Sequence, residues 1–156
     1  MRALIQRVKE ASVLIEGKVH DRIGTGLLVL LGVHQKDVKA DAGYLAKRTV
    51  DLRIFGDGEG KMNLSIKDTD GSILVISQFT LYADTRKGNR PSFAASAAPD
   101  HAENLYNSYV QHLRQYLAEE KVKTGVFRAM MDIALINDGP VTVMLESKES
   151  ASGAKN

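Results

Sequence analysis

Three polar side chains, Ser77, Gln78 and Thr80, follow directly on the apolar run Ile73-Leu74-Val75-Ile76. A run this apolar, bounded by Asp70-Gly71 and Ala83-Asp84, predicts a strand buried on both faces. Polar groups where such a strand leaves the core need partners. They either bond to protein or are reserved for a ligand. Two hydroxyls, an amide and the backbone N–H groups around Phe79 and Thr80 could place a carbonyl and hold its oxyanion. By itself Thr80 is equally an ordinary β-branched strand residue.

A second informative stretch lies sixty residues on. Asn137-Asp138-Gly139-Pro140-Val141-Thr142 sits between the apolar runs Ile133-Ala134-Leu135-Ile136 and Val143-Met144-Leu145. Asn-Asp-Gly-Pro reads as a turn between two strands, because Gly tolerates positive φ and Pro pre-sets φ. The dipeptide Gly139-Pro140 has another use. It carries no side-chain bulk on its first residue and a locked ring on its second, and an X-Pro bond can be cis. Such a unit can bring bare backbone carbonyls close to a ligand. Local sequence leaves both readings open.

The familiar catalytic constellations are missing. There is no G-x-S-x-G, no cysteine and no H-E-x-x-H. His20, His34, His101 and His112 lack metal-ligand spacing and read as structural or surface residues. Asp57, Glu59, Asp68 and Asp70 do not form an EF-hand loop. The loop Gly56-Asp57-Gly58-Glu59-Gly60 is a poor phosphate cradle, since its two acids repel phosphate. Neither a metal nor a cofactor is expected.

The elements that must position these residues follow from periodicity. Residues 2–16 alternate apolar and polar, and Gly17-Lys18 turns the chain into a second strand over 19–23. Residues 26–33 form a continuous apolar run, a central strand. Asp37 looks like an N-cap, and Val38, Ala42, Leu45, Ala46 and Val50 predict an amphipathic helix over 38–50. Residues 52–55 resume a strand pattern, and 85–97 form a long segment holding Arg86, Lys87, Arg90 and Pro91. The stripe Ala102, Leu105, Tyr106, Tyr109, Leu113, Tyr116, Leu117 predicts a helix over 100–120, its tyrosines in the core with wet hydroxyls. Strands interrupted by two helices without regular βαβ alternation favour an α+β fold: a largely antiparallel, closed or barrel-like sheet with two main helices packed outside.

Length and composition set bounds. The 156 residues predict a single domain over 1–146 with a polar, disordered tail over 147–156. No apolar run approaches the roughly 20 residues that span a bilayer. There is no leader-like N-terminus and no cysteine, so no membrane association and a cytoplasmic location are expected. A net charge of +2 does not by itself imply nucleic-acid binding, so any RNA contact must be a local patch.

Taken together, the ordered motifs carry a resemblance. They begin with Met1-Arg2-Ala3-Leu4-Ile5-Gln6-Arg7-Val8, Gly26-Leu27-Leu28-Val29-Leu30-Leu31-Gly32-Val33 and Leu52-Arg53-Ile54-Phe55. Gly60-Lys61-Met62-Asn63-Leu64-Ser65 and Lys87-Gly88-Asn89-Arg90-Pro91-Ser92-Phe93 follow the same pattern. With the 77–81 and 137–142 segments, the chain resembles the D-aminoacyl-tRNA deacylases, the D-tyrosyl-tRNA deacylase family, from residue 1 to about 146. It departs at Phe127-Arg128-Ala129-Met130-Met131-Asp132, where many members have Gly after the Phe and Gln near the Asp. The part Arg128 and Asp132 play beside the adenosine pocket is therefore open.

The resemblance implies a barrel with helices outside, acting as a homodimer on the acceptor end of D-aminoacyl-tRNA. It implies catalytic placement by Ser77, Gln78, Phe79 and Thr80. It also implies a chiral filter from a cis Gly139-Pro140 bond, supplied by the second subunit, with Asn137 and Thr142 beside it. Gly139 should then resist replacement, because a Cβ would enter the space of the substrate's α-carbon. Arg86, Lys87, Arg90, Pro91, Phe93 and Met130 would contact tRNA. An ester on the terminal ribose lies beside a vicinal hydroxyl, so the protein need supply only placement and an oxyanion site. The family has been read with Thr80 as nucleophile and with the RNA 2′-hydroxyl as the working group. The second is preferred, because no base stands beside Thr80 in the sequence. A backbone clash against L-residues is independent of the side chain and would also pass glycine, so glycyl-tRNA mischarged on tRNA-Ala is an expected second substrate. The competing readings are a threonine-dependent hydrolase of small D-amino-acid esters and a tRNA-binding module without hydrolysis.

Overall fold

The computed structural model describes residues 1–148. Strand β1 (Arg2–Ile15) buries Ala3 and Ile5, then Val8, Ala11 and Val13. The alternation slips by one residue between Ile5 and Val8 and again between Val8 and Ala11. Its pairing with the last strand shifts register at the same places. A turn with positive φ at Glu16 (52°) and Gly17 (75°) leads into β2 (Lys18–Ile23), as a tight hairpin between twisted strands requires.

The apolar run becomes β3 (Gly26–Gly32), antiparallel to β1. Helix α1 (Lys39–Asp51) follows, then the small hairpin β4 (Phe55–Gly56) and β5 (Met62–Leu64). Strand β6 (Ser72–Ser77) lies parallel to β3. At Gly26 a Cβ would stand 1.8 Å from the Ser72 carbonyl oxygen, so only glycine permits this approach of the two strands. Helix α2 (Pro99–Tyr116) then crosses to β7 (Val122–Thr124), parallel to β6. The long β8 (Asp132–Glu146) returns antiparallel to β1. The pairing path is β2-β1-β3-β6-β7, with β2 and β3 on successive stretches of β1, and β8 pairs with β1 off this path.

The α+β class, the barrel-like sheet and the two outer helices are all observed. The sheet, however, is mixed: β1 pairs antiparallel with its three partners, while β3–β6 and β6–β7 are parallel. Each helix belongs to a crossover that returns the chain to the same end of the sheet, and that forces parallel pairing. The helices cover one face over a core that includes Leu27, Val29, Ile73, Val75, Leu45 and Leu113. The alternate residues Leu28, Leu74 and Ile76 pack with Val8, Val13 and Ile23 on the other face. This is why β3 and β6 are apolar throughout.

Four local expectations are corrected. The α1 N-cap is Val38, whose N–H donates to Asp41 at 2.8 Å. Asp37 is buried instead beneath the N-terminal amine at 2.8 Å, and its carboxylate accepts from the His34 N–H. Tyr106 and Tyr109 keep dry hydroxyls, bonded to the Val75 carbonyl at 2.8 Å and to Thr49 Oγ1 at 2.7 Å. Burial raises both phenol pKa values above the ordinary range. Helix α2 stops at Tyr116, and a short 3-10 turn (Glu119–Lys121) replaces its predicted end. Ser147 and Lys148, read as tail, are tied down: the Ser147 N–H donates to the Met1 carbonyl and Lys148 pairs with Asp41 at 3.1 Å. The rest of the predicted tail, 149–156, lies outside the described residues.

Candidate active site

Because β3 and β6 are parallel, both release the chain at one edge of the sheet. The Gln78 N–H still bonds the Leu31 carbonyl at 2.8 Å, and then the ladder ends. The chain tightens into a 3-10 turn (Phe79–Tyr82) instead of continuing as strand. Gly32 makes room for it, since a Cβ there would stand 3.1 Å from Leu81 Cβ. Arg2 fixes the far end of the turn. Its guanidinium donates to the Leu81 carbonyl at 2.9 Å and stacks 4.6 Å over the Tyr82 ring.

This geometry exposes Phe79 and Thr80 and leaves Ser77 and Gln78 half-buried. The N–H groups of Leu81 and Ala83 bond back to Gln78 and Thr80. Among the described residues, those of Phe79 and Thr80 take no protein acceptor, as befits the first donors of a helical turn. The Gln78 side-chain amide donates to the Thr80 hydroxyl oxygen. No histidine, carboxylate or lysine among the described residues bonds that hydroxyl, so nothing there takes its proton. A nucleophilic threonine requires such a base. The site offers donors and placement.

The loop from 83 to 93 grows from the same turn. Asp84 and Ser92 close it with paired backbone bonds of 2.8 and 2.9 Å. Phe93 packs edge-on against Phe79 at 5.0 Å, and Ser96 Oγ donates to the Phe79 carbonyl at 3.1 Å. Within the loop Arg86 is engaged by Asp84 through bonds of 2.9 and 2.6 Å. That guanidinium, with the Arg86 backbone N–H, holds the Asp84 carboxyl down to about 2. Lys87, Arg90 and Pro91 stand exposed. Of the loop's basic residues, Lys87 and Arg90 are the ones presented without an ion-pair partner among the described residues.

The 137–142 segment is not a hairpin. Both flanks lie in β8 and pair with the same β1, with Gln6 opposite Thr142 and Val8 opposite Asn137. Residues 138–141 bulge out opposite Arg7 alone. The Asn137 side chain closes the base of the bulge: its Oδ1 accepts from the Val141 N–H at 2.7 Å and its Nδ2 donates to the Val141 carbonyl at 3.2 Å. Nδ2 also reaches Thr142 Oγ1 at 3.2 Å. The Gly139-Pro140 peptide is cis, and both residues are exposed. Gly139 has φ 149°, and a Cβ there would meet the Val141 nitrogen at 2.7 Å before it met any ligand. The expected resistance of Gly139 to replacement therefore has a cause within the chain itself, whatever a ligand adds.

Sequence reasoning missed Arg7. Its Nε donates to the Asp138 carbonyl at 2.9 Å and its guanidinium to the Ile54 carbonyl at 2.6 Å. The Asp138 carboxylate lies 3.7 Å away, and the arginine side chain is 15% exposed. The signal was present: Ala3, Ile5 and Arg7 share one phase of the strand, so a cation occupied a position that alternation assigns to the core.

Within one chain the two segments are anchored at different points of β1. Arg2 holds the 3-10 turn and Arg7 holds the bulge, and the two arginines stand five strand steps, about 17 Å, apart along β1. A cleft of about 730 Å³ between α1 and α2, lined by Asn104, Asn107, Gln111 and His112, contains none of these residues. Among the described residues no cluster of three or more His, Cys, Asp or Glu could hold a metal, and no helix is long and apolar enough to cross a membrane.

Known proteins resemble the chain in sequence and in fold. The family model described as D-Tyr-tRNA(Tyr) deacylase matches residues 4–146. A D-aminoacyl-tRNA deacylase from Thermosipho africanus (strain TCF52B) is 54% identical over 149 residues, 96% of this chain and 99% of its own. A solved structure described as c-Myc DNA Unwinding Element Binding Protein matches with TM-score 0.91 and 40% identity, over 95% of this chain and 99% of its own. A second, a probable eukaryotic D-amino acid tRNA deacylase, shares the fold with TM-score 0.80 at 18% identity, over 93% of this chain and 98% of that one.

Proposed function

The chain belongs to the D-Tyr-tRNA(Tyr) deacylase family and is a hydrolase of D-aminoacyl-tRNA esters; from that premise we propose how its residues divide the work. The reading rests above all on the end of β6, where N–H groups of Phe79 and Thr80, without an acceptor among the described residues, stand beside an exposed hydroxyl that meets no base among them. The ester carbonyl docks on those N–H groups, which receive its developing oxyanion. Ser77 and Gln78 orient it. The 2′-hydroxyl of the terminal adenosine polarises the carbonyl or orients the water that attacks it; the water oxygen takes the acyl group and the ribose 3′-oxygen leaves with a proton, so Thr80 is not consumed.

The carbonyls beside Gly139 and Pro140 form the chiral filter. Backbone cannot evade a clash by changing rotamer, so an L-residue is refused whatever its side chain, while a D-residue or glycine is accepted. Asn137 and Thr142 set the base of this bulge. The anchoring of the two segments at separate stretches of β1 is the reason to assign the filter to a second copy of the chain. The outer edge of β8 takes no strand partner among the described residues and exposes Leu135, Ile136 and Met144, an edge suited to burial between copies. The active species is expected to be a homodimer. Sedimentation at assay concentration checks this, and a fully active monomer would contradict it.

Lys87 and Arg90 meet tRNA phosphates, with Phe93, Pro91 and Met130 as apolar neighbours of the acceptor end. Replacing Lys87 or Arg90 by Ala is expected to lower the slope of log K against log salt by about 0.7 for each phosphate left without its cation. Arg86→Ala is expected to do less, because Asp84 already holds that guanidinium. An unchanged slope in the Lys87 and Arg90 variants would reduce the loop to a solvated surface. Its substrate class favours a cytoplasmic location, where aminoacyl-tRNA is used.

The whole reading is tested by turnover on D-tyrosyl-tRNA beside D-tyrosine methyl ester. Hydrolysis of the tRNA ester alone is expected. Equal rates on both would favour a threonine hydrolase, and binding without turnover a tRNA-binding module.

A further inference from the structure

The turn between β7 and β8 carries a cation that none of these roles uses. Arg128 has φ 69°, in the left-handed region that glycine enters freely and a side-chain-bearing residue does not. An observed outlier of this kind is a pointer to function. The Ala129 N–H closes the turn on the Val126 carbonyl at 3.2 Å, so the conformation is fixed.

The register of the sheet sets this turn beside the ester site. Strand β7 runs parallel to β6 with Val122 opposite Ile73 and Thr124 opposite Val75, and the Gly125 N–H bonds the Val75 carbonyl at 3.2 Å. Continued in that register, the residues that follow lead toward Ser77 and Gln78, where β6 ends. Exposure alternates along them. Phe127 turns inward against Tyr106, with ring centroids 5.9 Å apart. Val126, Arg128 and Met130 face solvent, Met130 being 91% exposed. Among the described residues no carboxylate pairs with Arg128. A guanidinium between two apolar side chains is thus presented at the rim of the site, on a turn that a glycine would make at lower cost.

We propose that Arg128 binds a phosphodiester of the single-stranded 3′ end of the tRNA, upstream of the terminal adenosine, with Val126 and Met130 as the apolar surface beside it. The proposal rests on the reading of the β6 end as the ester site. A guanidinium matches phosphate oxygens in a bidentate manner, and a phosphodiester is the nearest anionic group to the ester on the terminal nucleoside. The interaction adds affinity for the RNA and leaves the ester chemistry untouched.

The experiment uses Arg128→Gly and Arg128→Lys with two substrates, D-tyrosyl-tRNA and D-tyrosyl-adenosine, which has no phosphodiester. Binding of a non-hydrolysable, amide-linked D-tyrosyl-tRNA is measured alongside. Arg128→Gly is expected to melt at a higher temperature than the parent, because the turn is relieved. Its affinity for the amide-linked tRNA should fall about tenfold at low salt and its salt slope by about 0.7. Turnover of D-tyrosyl-adenosine should stay at the parent value, and Arg128→Lys should retain the slope. An unchanged salt slope in Arg128→Gly overturns the proposal, as does an equal loss on both substrates, which would make Arg128 a wall of the adenosine pocket. Failure of the parent to turn over D-tyrosyl-tRNA would instead overturn the ester-site reading, while the binding measurement still decides the role of Arg128.

Discussion

A D-tyrosyl-tRNA ending in 2′-deoxyadenosine is expected to be deacylated about 10²–10⁴-fold more slowly than the ribose form, the range that loss of a working acid–base group produces. Thr80→Ala is expected to retain activity within about tenfold of the parent, as loss of one neutral hydrogen bond would allow. The contrast follows from the hydroxyl geometry. Thr80 Oγ1 accepts a bond from the Gln78 amide, and no base among the described residues takes its proton. The donors proposed for the oxyanion are backbone N–H groups, which the Ala substitution leaves in place. Gln78→Ala removes only an orienting amide and should act mainly on kcat. Single-turnover rates on matched ribose and deoxyribose substrates give the answer. A covalent aminoacyl ester trapped on Thr80, or a deoxy substrate cleaved at the full rate, would sink substrate assistance.

The second large effect is expected at Arg7, a residue far in sequence from either motif. Its guanidinium binds the carbonyls of Asp138 and Ile54 and so sets the direction of the bulge that carries Gly139 and Pro140. Arg7→Ala leaves two half-buried carbonyls without their donor, at a cost of about 1–3 kcal/mol each. If that energy holds the filter in one orientation, the ratio of kcat/KM for D- over L-tyrosyl-tRNA should fall by about 5–150-fold. Arg7→Lys should lie between, since an ammonium cannot serve both carbonyls in the planar geometry of the fork. A melting curve accompanies each variant. Parallel loss on both enantiomers with an unchanged ratio would make Arg7 a structural residue only, and the filter assignment would lose its support. Gly139→Ala is a poorer test, because the added Cβ collides with Val141 whether or not substrate is present.

Much of this protein was legible along the chain. Period-two alternation gave β1 and β2, and a long apolar run gave β3. Helical spacing gave α1 and most of α2, and the breakdown of apolar character at Ser77 marked the end of β6. These are local signals, because burial on one or two faces is written into nearest-neighbour periodicity. The candidate site residues were legible for the same reason: polar groups at a strand end and a Gly-Pro unit between apolar runs are conspicuous where they stand.

Pairing was decided elsewhere. Nothing in the 137–142 segment distinguishes a hairpin from a bulge; the outcome depends on β1, whose long bent strand pairs with β8 on both sides of Arg7. The parallel pairing of β3, β6 and β7 depends on where each helix delivers the chain, a property of the crossover and not of any strand. Asp37 looked like a helix cap, yet the N-terminal amine and the His34 N–H, both outside the periodic pattern of α1, claimed its carboxylate. Which residues wanted burial or a polar partner was settled along the chain, since that is a property of each side chain and its neighbours. Only the tertiary structure decided which partner each one found, because hydrogen-bond donors and strand edges compete across the whole chain and the winner is set by geometry in three dimensions.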